Sequence, residues 1–68
     1  MDVRTHYVED TNIVLKIKVP DEKDDNQLVS LIIEETNYET YVVLYFRNAD
    51  HAEKTYEALK NIISAYME

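Results

Sequence analysis

The chain has 68 residues, fourteen of them acidic and seven basic, for a formal charge of −7 and a pI near 4.6. Such a charge repels nucleic acid, anionic lipid and acidic substrates at long range, and the absence of cysteine excludes disulfides and thiolate zinc sites. One domain is expected, near the lower size limit for a core without staples, so added burial against a second copy or a partner is anticipated.

Residues Val3 to Val8 alternate weakly and are read as a short additional strand that folds back through Glu9, Asp10 and Thr11. Residues 12–19 alternate clearly, with Ile13, Leu15, Ile17 and Val19 on one side and Val14, Lys16 and Lys18 on the other, and Pro20 ends the run. Asp21, Glu22, Lys23, Asp24 and Asp25 follow as a polar connector with no apolar anchor, expected to be a mobile acidic loop over residues 20–26. Residues 27–36 form the next strand, with Val29, Leu31 and Ile33 opposed to Leu28, Ser30, Ile32 and Glu34.

The chain also has no glycine, so its turns need other residues. Asparagine tolerates positive φ best among them, and Asn12, Asn26, Asn37 and Asn48 all fall between alternating runs. Thr36-Asn37-Tyr38-Glu39 is read as a tight hairpin turn into a strand over residues 38–47, rich in β-branched and aromatic side chains. Pairing Glu35 with Thr40 sets Ile33 against Val42, Leu31 against Leu44 and Val29 against Phe46, which makes one face wholly apolar. A slip by one residue would destroy that match.

From Asp50 to Met67 the apolar residues Ala52, Tyr56, Leu59, Ile63, Tyr66 and Met67 recur at helical spacing, with Ile62 and Ala65 widening the stripe. Asp50 and Glu53 have the spacing of a capping box, and Glu57 with Lys60 offers an i,i+3 pair. The helix stripe is the available cover for the apolar sheet face. The expected fold class is α+β, a single domain in which a three- to four-stranded antiparallel β-meander carries one C-terminal α-helix on one face.

Sites for chemistry are few. The connector carboxylates Asp21, Glu22, Asp24 and Asp25 lack EF-hand spacing and read as a solvated loop. His6 and His51 stand in no triad or metal pattern and are expected to be exposed, Ser30 and Ser64 lack a nucleophile elbow, and without glycine no phosphate-cradling loop is possible. No catalytic residue, metal site, cofactor or small-molecule ligand is expected. No apolar run reaches the length of a membrane span, and Met1 to Asp10 lack the apolar stretch of a signal peptide, so a soluble, cytoplasmic, non-enzymatic protein is expected.

The second sheet face resists a purely structural reading. It carries Val14, Lys16 and Lys18 from the first clear strand, Leu28 and Ile32 from the next, and Tyr41, Val43, Tyr45 and Arg47 from the last. That is too apolar and aromatic for a face left in water, and Tyr and Arg are enriched in protein interfaces. The competing structural reading folds Tyr7 and Val8 across it.

The expectation is a protein-binding domain that forms a homodimer by stacking two sheets or docks a partner there or on an open edge strand. It would act as an inhibitor, adaptor or accessory factor of the kind phages and mobile elements encode. Two alternatives invoke nucleic acid. Lys16, Lys18, Tyr41, Tyr45 and Arg47 resemble a single-stranded nucleic-acid platform, although net charge makes nucleic acid an unfavoured partner. The carboxylates alternatively suggest a nucleic-acid mimic, by analogy of size and charge.

Overall fold

The computed structural model describes residues 1–21 and 28–66, the side chains of 64–66 excepted. Four strands, β1 (Asp2–Tyr7), β2 (Ile13–Val19), β3 (Val29–Glu35) and β4 (Thr40–Phe46), precede one helix, α1 (Ala49–Tyr66). All neighbours pair antiparallel in the order β1-β2-β3-β4, an open meander with the helix on one side. The fold is α+β.

The register is the one hydrophobic matching requires. Glu35 lies opposite Thr40, Ile33 opposite Val42, Leu31 opposite Leu44 and Val29 opposite Phe46. Because side chains alternate with period two, this places every odd residue of β2 and β3 toward the helix and every even one away from it. Leu15, Ile17 and Leu31 are fully buried at the centre, joined by Val8, Val29, Ala52 and Tyr56.

Asn12 and Asn37 lie in the bends as expected, but the left-handed positions fall to other residues. Among the described residues, the non-glycine positions with positive φ are Asp10 (62°) and Glu39 (54°), whereas Asn12, Asn37 and Asn48 keep negative φ. Thr11 tightens the first loop, its hydroxyl donating to the Val8 carbonyl at 2.9 Å and accepting from the Ile13 N–H at 3.0 Å. Thr36 ties the two loops together, its N–H donating to the Asn12 carbonyl at 2.9 Å. Hydrogen-bonding groups near the bends thus supply what a backbone free of Cβ clashes would otherwise provide.

The helix begins one residue earlier than the capping-box reading places it. Asn48 is the cap: its Oδ1 accepts from the His51 N–H at 3.0 Å, and its carbonyl accepts the first intrahelical bond, from Ala52 at 3.1 Å. Asp50 and Glu53 do not close on each other. Asp50 pairs with Lys54 at 3.0 Å, and Glu53 accepts from Arg4 at 2.6 Å. Asn wins because it stands directly before the first helical turn, where its short side chain reaches the orphan N–H of the third residue. Asn48→Ala is expected to cost about 1 kcal/mol, read as a lower urea midpoint at unchanged m; an unmoved midpoint would place the cap elsewhere.

The helix does not cover the whole apolar face. It lies mainly over β2 and β3, leaving Val42 55% exposed with Leu44 also open beside it. Ile62, assigned to the buried stripe by its spacing, is exposed as well. The reason is width: a helix about 10 Å across spans roughly two strands at their spacing of about 4.8 Å. Edge strand β4 is left apolar on both sides.

Candidate interaction surface

Sheet register converts the second face into three rows. Val3, Lys18, Ser30 and Tyr45 form one, Thr5, Lys16, Ile32 and Val43 the middle one, and Tyr7, Val14, Glu34 and Tyr41 the third. Tyr41 and Tyr45 are 68% and 65% exposed, and Tyr7 and Val3 are open at the other margin. The rings therefore point away from the helix, four residues apart on one strand with Val43 between them on the same face.

Not all of the expected contact residues are accessible. Val14 and Ile32 are only 6% and 9% exposed and form the covered centre of this face rather than its contact rim. Lys16 and Glu34 lie across that centre, paired at 3.1 Å with both side chains mostly shielded. Long side chains cover apolar neighbours in this way while their charged ends meet. Val43 is half-buried, and Lys18, Leu28 and Arg47 are exposed, the last two just outside β3 and β4.

The N-terminal segment does not fold across the patch. β1 bonds in plane to β2, so Tyr7 extends the open face while Val8 enters the core on the helix side. The two sheet edges differ in chemistry. β1 carries Asp2, Arg4 and His6, and its Arg4 guanidinium is fastened to Glu53 of the helix at 2.6 Å. β4 reads Thr-Tyr-Val-Val-Leu-Tyr-Phe, with no charge, proline or bulge.

Other sequence candidates separate from this surface. His6, expected to be exposed near the terminus, is half-buried opposite Leu15, because β1 is ordered against β2. His51 is exposed and meets Phe46 edge-on, with ring centroids 5.1 Å apart. Asp21 holds the amino terminus at 2.7 Å, while Glu22, Asp24 and Asp25 lie outside the described residues. Among the described residues no group of three or more His, Cys, Asp or Glu is placed to hold a metal ion. No described helix is long and apolar enough to cross a membrane.

Electrostatics around the tyrosines favours a neutral or cationic contact over an anionic one. Glu34, Glu35 and Glu39 border Tyr41 in a shallow groove at the hairpin end of the sheet, and Lys16 is already engaged by Glu34. A phosphate backbone crossing these rings would meet carboxylates at one end and a neutralised lysine at the centre. The exposed Val42 and Leu44 escape a reading by periodicity alone, which assigns them to the core. Comparing helix width with the spacing of four strands is the signal that finds them.

No family model matches this chain, and no curated protein or solved structure is significantly similar to it.

Proposed function

We propose that this chain is a non-enzymatic protein-interaction module that works through the open aromatic side of its sheet and the adjoining β4 edge, as an inhibitor, adaptor or accessory factor of a partner protein. The observation that carries this is the exposure of Tyr41 and Tyr45 on one face of an edge strand whose other face exposes Val42 and Leu44. Tyrosine buries a large ring at low entropic cost and leaves its hydroxyl free to bond, which makes it a frequent anchor of protein contacts. An apolar strip along an edge strand adds main-chain hydrogen bonds to that area.

The test compares proteins crosslinked to the immobilised chain in host extract before and after Tyr41→Ala/Tyr45→Ala. Removing two anchors is expected to lower retention by about tenfold or more, while Ile62→Glu on the helix leaves it unchanged. Equal retention by all three chains would remove the tyrosine face from consideration.

A further inference from the structure

We infer that β4 pairs antiparallel with β4 of a second copy about a two-fold axis centred on Val43, giving a continuous eight-stranded sheet. This rests on reading the β4 edge as an interaction surface, and it commits that edge to one occupant.

Three observations on the two edges point to a second copy. The outer side of β4 meets no strand among the described residues, and its seven residues carry no charge. A bare, apolar edge is a template for pairing that proteins ordinarily blunt with charge, proline or a bulge. β1, the opposite edge, is blunted in that way by Asp2 and Arg4. Pairing at β4 therefore consumes the adhesive edge of both copies and leaves a charged β1 at each end. The assembly closes as a dimer instead of growing into a filament.

The flanking charges select the register. A two-fold axis normal to the sheet keeps both helices on the same side, so residues on one face of β4 meet residues on the same face of its copy. Centred on Val43, the pairing sets Tyr41 against Tyr45, Val42 against Leu44 and Thr40 against Phe46 of the second copy. Just beyond the strand ends, Glu39, whose backbone bends at φ 54°, and Arg47 of the second copy take neighbouring positions within reach of their long side chains, and the symmetry repeats that contact at the other end. Centring on Val42 instead sets Glu39 beside Tyr45, and centring on Leu44 sets Arg47 beside Tyr41. Opposite charges meet at both ends only in the Val43 register.

The geometry also accounts for the surface the helix leaves open. Val42 and Leu44 from both copies become a continuous apolar floor between the two helices, and Tyr41 and Tyr45 form cross-strand ladders on the other side. A net charge of −7 on each copy opposes association, and the uncharged strand is where two such chains approach at least cost.

Sedimentation equilibrium of the full chain should give twice the 8.1 kDa monomer mass. Val42→Lys, which points to the helix side and sets an ammonium into the shared floor, should raise the dimer dissociation constant at least about tenfold, the usual scale for a lost interface anchor. Tyr7→Glu, on the second face at the far margin, should leave it unchanged. A face-to-face stack of sheets reverses those two results, and that reversal would overturn the inference.

The register has its own signature. Glu39→Arg and Arg47→Glu should each weaken the dimer about two- to tenfold, since each change acts twice by symmetry, and the double substitution should recover it. No recovery would rule out the Val43 register. A monomer across the concentration range would overturn the dimer while leaving the tyrosine-face reading to its own crosslinking test.

Discussion

Leu31→Ala is expected to remove about 3–5 kcal/mol of stability, the upper part of the range for a buried leucine truncated where neighbours cannot collapse. Leu31 is fully buried on β3, between Ile17 of β2 and Leu44 of β4, under the helix. A chain of this size has about 3–10 kcal/mol to lose, at the usual 0.05–0.15 kcal/mol per residue. The variant should therefore populate the unfolded state visibly at room temperature, read by circular dichroism and a urea melt. Leu44→Ala is the control, one strand away and directly opposite. Its side chain is 39% exposed in the monomer, so the same chemical change should cost only about 1–2 kcal/mol. Equal losses from the two variants would mean that Leu44 is buried in the folded species being melted. The self-paired β4 strand predicts that result above the dimer dissociation constant, so the comparison belongs at low concentration first and high concentration second.

The contrast between Leu31 and Leu44 also marks where the sequence stops being legible. Both sit at apolar positions of alternating strands and both face the helix side, because the pairing of β3 with β4 follows from period two alone. Whether a residue on that side is covered depends on the width of the helix and on which strands it crosses, and periodicity carries neither. The cap misread is of a related kind: Asp50 and Glu53 have the spacing of a capping box, yet Asn48 has the position. Spacing is written along the chain, but the competition between two adequate oxygens is decided in three dimensions.

The asparagines mark the breaks between elements as their spacing suggests, but not the positive-φ positions, although asparagine is the residue most tolerant of them after glycine. Asp10 and Glu39 take those positions instead, while Asn48 spends its side chain on the helix and Asn12 offers its carbonyl to Thr36. The second sheet face was more legible. Its outward tyrosines follow directly from alternation along β4, but its centre did not, because Lys16 and Glu34 are two strands' worth of sequence apart and only the register sets them side by side. Partner identity is a property of surfaces that meet, and one of those surfaces is not in this chain's residues unless the chain is its own partner.

Tyr56→Ala should produce the second large loss, about 3–5 kcal/mol for removal of a buried aromatic ring, with a pattern that identifies what the ring fastens. Tyr56 is 3% exposed and is the largest helix side chain in the core among the described residues. The Arg4 guanidinium carbon lies 5.8 Å from its ring centroid and the Lys60 ammonium 5.4 Å, so two cations border one ring. Arg4 comes from β1, which the helix scarcely touches otherwise, and the same guanidinium holds Glu53 one turn away. The ring and the ion pair together make the lock between the outer strand and the helix. Tyr56→Leu keeps much of the apolar volume and removes the charged faces' partner, so its loss beyond packing should be about 0.5–2 kcal/mol. In both variants hydrogen exchange should rise first at β1 amides, ahead of β2 and β3, because local opening follows the weakest attachment. If β1 exchanges no faster than β3 in Tyr56→Ala, the strand is held by its pairing with β2 alone, and the cation-bordered ring contributes only to the core.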